Sequence, residues 1–347
     1  MSVAMAAPGW EMALGTRTVR QFLRALAVAA ITLSVGCVVY CIERFGFGSE
    51  SRTVQNPADV MVRVLGMAHF AVGWLYLATS PRLRNRPALA RLAVATLIGA
   101  VLCVLFAQFG GTRHPLLAMV FYGYFLFHEL GDETMFYQAY GDHPARSPKA
   151  AAFLRSLSWA SALVLLTVLA SLYFGFAWAE NHRALRRVPA GIAPLGISLL
   201  AVAAGAMTVR ALRQGLALHG SWRGLVGTHL PLFMVYGGLL AVLGFGSLLG
   251  TTGLNLLILI HASVWIVFTQ FQLAKRPAAK RSPWTWLRAT PAGFLTLHIG
   301  AAALFLALMA VRVYVWHRQG WYSELLTSHN FCYWGLMHIS MSLWNGK

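Results

Sequence analysis

The chain predicts an all-α fold, a polytopic transmembrane helix bundle of about ten spans, and three observations carry that reading. Hydrophobic residues make up 58% of its 347 positions and charged residues 11%, far from the mixture of a water-soluble domain. Apolar windows of about 20 residues, each long enough to cross a bilayer as a helix, fall at 22–42, 60–79, 92–110, 115–139, 157–179, 192–211, 226–249, 253–273, 291–316 and 321–344. The basic residues behind the formal charge of +18 gather between those windows, so the charge reads as topology and not as affinity for nucleic acid.

Taken in order, the first window follows Arg17, Arg20 and Arg24 and runs to Cys41-Ile42-Glu43 without a small-residue cleavage pattern, which suits a retained helix better than a removed signal. Arg82, Arg84, Arg86 and Arg91 follow the second window, and Arg146, Lys149 and Arg155 the fourth. Arg210, Arg213 and Arg223 flank the turn between the sixth and seventh; Lys275, Arg276, Lys280, Arg281 and Arg288 follow the eighth; Lys347 comes last. All these groups share one side if both termini face the cytoplasm, and a bacterial inner membrane is the expected address. Arg183, Arg186 and Arg187 after the fifth window and Arg113 before the fourth dissent. The tenth window is the weakest, because Glu324, His329, Asn330 and His338 interrupt it.

Gly237, Gly238, Gly244, Gly246 and Gly250 in and after the seventh window suit close helix contacts in lipid, and a helix broken around a substrate is the alternative. Trp74, Trp284, Trp286, Trp316 and Trp321 fall near predicted membrane interfaces. Cys37, Cys103 and Cys332 lie at membrane depth, where packing is the default role. The longest segments between windows, 43–59, 141–155 and 274–290, leave no room for an ATP-binding domain, and no phosphate-loop motif or internal repeat is visible. Residues 1–347 are therefore expected to form a single integral membrane domain whose chemistry lies within the bundle.

That chemistry concentrates in the fourth window, at Phe127-His128-Glu129-Leu130-Gly131-Asp132-Glu133, which holds three of the chain's ten acidic residues. A charge at the bilayer centre costs about 2.5 kcal/mol or more, so such a cluster pairs internally, lines a wet cavity, or holds a metal or proton. At about 100° per residue His128 stacks on Asp132 and Glu129 on Glu133, and all four fit within about 140° of arc. Gly131 leaves room beside that stripe for close approach.

Other histidines are expected at matching depth. His69, His128 and His261 fall near the middle of the second, fourth and eighth windows. Glu133, His298 and His338 form a layer about two turns nearer the cytoplasm. His69, His128, Asp132, His261, His298 and His338 are therefore the expected metal ligands, with Glu129 and Glu133 as catalytic acid-base groups, bridging ligands or hydrogen-bond acceptors that orient histidines. Nitrogen and oxygen donors of this kind suit iron, mononuclear or dinuclear, and also zinc or manganese; haem fits less well because it leaves the adjacent acids unexplained. No His-Glu-x-x-His, His-x-x-x-His or doubled histidine box is present, which counts against the membrane desaturases and hydroxylases that display them.

The remaining histidines carry less. His329 lies nine residues before His338, on the opposite face of a straight helix. His114, His143, His182, His219 and His317 fall in turns or at helix ends, and His229, beside Pro231, is read as an interface residue. Arg63 is expected to pair with Asp59 and snorkel outward, with binding of an anionic head group as the alternative, and Arg312 to lie near the outer face.

These features predict a membrane-embedded metalloenzyme, an iron-dependent oxidoreductase that hydroxylates, desaturates or cleaves a lipid, isoprenoid or carotenoid substrate entering laterally from the membrane. Phe121, Tyr122, Tyr124, Phe125, Phe136, Tyr137 and Trp265 would shape its path, and a separate electron donor is implied. A zinc hydrolase using Glu129 or Glu133 as base is a variant. The alternative is a proton-coupled transporter in which Glu129, Asp132 and Glu133 relay protons.

Overall fold

The computed structural model describes residues 13–42, 45, 57–80, 85–111, 114–141, 147–175, 188–189, 191–246, 252–275, 282–314 and 328–344. Among these residues the protein is helical throughout: α1 Arg17–Cys41, α2 Pro57–Ala78, α3 Arg86–Gln108, α4 Pro115–Tyr140, α5 Pro148–Gly175, α6 Ile192–His219, α7 Trp222–Gly246, α8 Thr252–Ala274, α9 Pro283–Ala289, α10 Pro291–Tyr314 and α11 Ser328–Trp344. Eight of these helices (α1 to α3, α5 to α8 and α10) contain stretches long and apolar enough to cross a membrane, as a polytopic bundle requires. Helix α4 has the length, at 26 residues, but carries the acidic stripe. Helix α11 is described over 17 residues. Arg82, Arg84, Arg113, Arg146, Arg183, Arg186, Arg187, Arg276, Lys280, Arg281, Glu324 and Lys347 lie outside the described residues, as do His143, His182, His317, Gly250, Trp316, Trp321 and the side chains of Asp59, Arg312 and His329.

Where helix ends differ from the apolar windows, local chemistry accounts for the difference. Helix α5 starts nine residues before its window: Pro148 occupies the first turn, and the Ser147 hydroxyl accepts a hydrogen bond from the Ala150 amide at 3.1 Å. Lys149 and Arg155 hide this turn from a hydropathy reading. Helix α6 runs eight residues past its window to Gly220, whose left-handed φ of 71° lets its amide reach the Leu216 carbonyl at 2.8 Å. Helix α9 falls in a stretch expected to be loop, and begins where the Ser282 hydroxyl caps the Thr285 amide at 3.1 Å. Helix α7 continues unbroken through Pro231 and Gly237-Gly238; a Cβ on Gly238 would stand 3.0 Å from Phe22, whereas one on Gly237 or Gly244 would meet nothing within 4 Å.

The chain divides into two compact units. The first comprises residues 1–24 and 122–250. In it α5 packs along α6, and α7 lies against both. A Cβ on Gly215 of α6 would stand 2.7 Å from Leu225 and 2.8 Å from Phe153, so glycine sets how closely these helices approach. Helix α4 runs antiparallel to α7. Near one end Tyr236 meets Leu130 and Thr134; near the other Tyr137 meets Thr228 and His229. Phe22 of α1 closes over Gly238, and Arg17 donates to the Tyr140 carbonyl at 3.4 Å.

The second unit joins residues 25–121 with 251–347. Its centre is α2, against which α8, α10 and α11 all pack, while α3 packs along α11. Helix α11 turns Phe331, Trp334 and His338 toward α2, at the i, i+3, i+7 spacing of one helical face: Phe331 stacks on Phe70 with centroids 5.4 Å apart, and Trp334 meets Trp74 at 5.0 Å. Trp74 is thus an internal packing residue, whereas Trp284 and Trp286 of α9 are exposed as interfacial tryptophans would be. Toward α3, α11 approaches so closely that a Cβ on Gly99 would lie 3.2 Å from the Met337 backbone and 2.9 Å from its sulfur. Helix α9 is tied to the end of α2, with Tyr76 donating to the Arg288 carbonyl at 2.9 Å and Arg288 donating to the Thr79 carbonyl at 2.6 Å. Arg63, in the early turns of α2, is buried rather than snorkelling at an exposed surface.

Candidate metal centre

The second unit brings together three of the predicted ligands. His69 sits in the middle of α2, His261 on α8 and His338 on α11, and one ligand nitrogen from each lies within 4.8 Å of the others. Their exposures are 1%, 5% and 9%, so this is an interior cluster and not a wet rim. The Nε2 atoms of His69 and His338 are 3.1 Å apart, and the rings of His69 and His261 meet edge-on at 5.6 Å between centroids.

The His69–His338 contact has hydrogen-bond geometry, one ring donating and the other accepting. Imidazoles this close can also turn their lone pairs on one divalent cation. Nδ1 of His69 is buried and has no hydrogen-bond partner among the described residues. The three imidazole nitrogens fit a divalent transition metal.

His298 belongs to the same unit but not to the three-ligand group. Its Nδ1–H donates to the Phe294 carbonyl one turn earlier on α10 at 3.1 Å, which leaves the lone pair on Nε2. That atom too is buried and lacks a partner among the described residues. Trp265, one turn beyond His261 on α8, packs on both His69, at 4.4 Å between centroids, and His298, at 5.6 Å. This indole, with Phe70 and Phe294, gives the cluster an aromatic wall that excludes water.

The first unit holds the acidic stripe. His128, Glu129, Asp132 and Glu133 are all buried on α4. His128 Nε2 and Asp132 Oδ2 are 3.6 Å apart, an i, i+4 pair formed as helical stacking dictates. Glu133 Oε1 has no hydrogen-bond partner among the described residues. A Cβ on Gly131 would touch nothing within 4 Å, so space does lie beside the stripe.

One polar group that the sequence reading assigned to an interface is part of the interior. His229 is fully buried, at 0% exposure. The Tyr137 hydroxyl donates to the Thr228 carbonyl at 3.1 Å, so His229 Nδ1–H donates to the phenol oxygen at 3.2 Å and His229 Nε2 accepts from His219 Nε2 at 2.9 Å. Phe153 packs on both imidazoles. The available signal was the spacing of His229 and Tyr236, seven residues apart and hence on the α7 face that meets α4.

Compared with known proteins, the chain matches no family model, no curated sequence and no solved structure.

Proposed function

We propose that this protein is a membrane-embedded metalloenzyme whose metal is held by His69, His261 and His338, and that it oxidises a lipophilic substrate. The meeting of three imidazoles from helices far apart in sequence, inside an otherwise aromatic and aliphatic seam, supports this reading above all. Iron bound there would supply the one-electron chemistry by which dioxygen hydroxylates, desaturates or cleaves a lipid, isoprenoid or carotenoid. His298 presents a neutral imidazole with its lone pair fixed on Nε2, ready to accept a proton or complete the ligand set. Trp265 holds the His69 ring in place and keeps water from it. On α4, His128 and Asp132 form a nitrogen and oxygen donor pair, and Glu129 and Glu133 hold or move protons. Electrons come from a separate donor.

Elemental analysis of the full chain purified in mild detergent tests this. About one or two equivalents of iron are expected, falling at least tenfold in His69→Ala, since even an outer partner of a metal ligand is worth about 10–100-fold in affinity. Zinc in place of iron would shift the reading to hydrolysis. The orphaned Glu133 oxygen favours a second reading, a proton-coupled transporter relying on Glu129, Asp132 and Glu133. Metal-free protein that moves protons in liposomes, and stops doing so as Glu133→Gln, would establish the transporter and end the metalloenzyme proposal.

A further inference from the structure

Two connections of the second unit meet at one end of its helices. Residues 80–91, from the end of α2 into the first turns of α3, carry four arginines; residues 275–290, from α8 to α10 and including α9, carry five basic residues. Neither stretch contains an aspartate or a glutamate. Helices α2, α3, α8 and α10 are all long and apolar enough to cross a membrane, so both connections emerge where hydrocarbon gives way to headgroups. Their adjacency is built in. Arg288 donates to the Thr79 carbonyl at 2.6 Å, Tyr76 donates back to the Arg288 carbonyl at 2.9 Å, and the Arg288 guanidinium lies 5.7 Å from the centre of the Tyr76 ring.

Helix α9 is braced against α10 as well. A Cβ on Gly293 would stand 2.7 Å from the Leu287 Cα, a backbone atom that cannot swing aside. Held from both sides, α9 keeps its tryptophans outward: Trp284 is 42% exposed and Trp286 45%. On the same two connections Arg86, Arg91 and Lys275 are exposed too.

We infer that this face binds the phosphate headgroups of anionic phospholipids, with Trp284 and Trp286 seated in the headgroup layer. Arg288 is spent as the brace, and the other basic residues of the two connections supply charge with no acidic neighbour in either stretch to offset it. Each basic side chain near an anionic surface is worth about fivefold in binding. Basic residues at span ends orient a chain without holding any particular lipid, so charge alone does not decide the matter. The indoles do: they favour the headgroup layer, and α9 presents them rigidly at the level of four span ends, which lipid occupies and a soluble acidic protein would have to invade. The inference stands apart from the histidine cluster and holds whichever metal or reaction that cluster supports.

The test reconstitutes the full-length protein in an equal mixture of phosphatidylcholine and phosphatidylglycerol, extracts it in mild detergent and counts the retained lipids by mass spectrometry. Phosphatidylglycerol is expected to exceed phosphatidylcholine by about fivefold. The variant R86Q/R91Q/K275Q, altered at exposed positions where substitution disturbs folding little, is expected to cut that ratio by about threefold or more with an unchanged melting temperature. W284S/W286S leaves the charge untouched and is expected to lower the retained phosphatidylglycerol by about twofold. Equal retention of the two lipids by the unaltered protein would mean that the basic residues only orient the chain, and would overturn the inference. A preference that survives the glutamine substitutions would place the binding elsewhere and overturn it too. Loss with the glutamines but not with the serines would leave a charged face open to any polyanion, an acidic protein included, and would equally end the proposal.

Discussion

At the scale of single residues, the interior polar groups separate into those whose partners are built in and those that still offer a free atom. His229 belongs to the first kind, with both ring nitrogens engaged and Tyr137 and His219 depending on it. His229→Phe keeps the volume but takes an acceptor from half-buried His219 and a donor from Tyr137, which keeps its bond to the Thr228 carbonyl, so a loss of about 1 kcal/mol is expected. A lower melting temperature is expected, with metal content unchanged; an unchanged melting curve would show that the chain of hydrogen bonds is not structural. His69 and His298 are of the second kind, each with one nitrogen that lacks a partner among the described residues. Their identity as buried histidines was legible from depth along their windows. Their grouping was not, because depth alignment says nothing about position in the membrane plane. A finer signal was present: Trp265, Phe294 and Trp334 lie four residues from His261, His298 and His338, so each of these histidines shares a helical face with an aromatic. Arg63 was misjudged because a lone arginine in an early helical turn reads as snorkelling unless the neighbouring helices are known.

At the scale of elements, hydropathy located the helices and missed their amphipathic ends. The first turns of α5, with Lys149 and Arg155, and the last turns of α6, with Arg213 and His219, extend helices through residues that no apolar window admits. Helix α11 posed the opposite problem: its window was the weakest because polar residues interrupt it, yet its Phe331, Trp334 and His338 face packs on α2. Gly99 fixes the other side of α11. Gly99→Val would drive a side chain into the Met337 backbone, which cannot swing aside as a side-chain tip can. Overpacking of this kind costs about 1–3 kcal/mol. A lower melting temperature is expected, and because His338 neighbours Met337, so is weaker metal retention in a chelator competition. Val at Gly99 with both quantities unchanged would mean that α11 shifts freely along α3.

At the scale of the whole chain, composition was decisive for class, and a bundle of long apolar helices is what the structure shows. The chemistry was less legible. The acidic stripe announced itself locally on α4, whereas the three-histidine cluster depends on residues up to 269 positions apart and on no sequence motif. In a chain whose cysteines form no disulfide among the described residues, a metal at that cluster would be the covalent-strength tie among α2, α8 and α11. Removing it by dialysis against a strong chelator is expected to lower the melting temperature, since a ligand at about 100 times its dissociation constant adds about 2.7 kcal/mol to the folded state. Re-addition of iron should restore the loss, and a melting temperature indifferent to both steps would count against a structural tie.

The discontinuity of the second unit also imposes an order on biosynthesis. Residues 25–121 leave the ribosome first, and their partners 251–347 follow only after 122–250 have been made. At about 5–20 residues per second that interval lasts roughly 6–26 s. Throughout it α2 waits in the membrane with His69 already placed but without Trp265, His261 or His338 to meet it, while α4 to α7 can assemble as soon as they emerge. The nascent chain therefore passes through a stage in which one unit is complete and the other is half a socket, and the three histidines can meet only after α11 has been made.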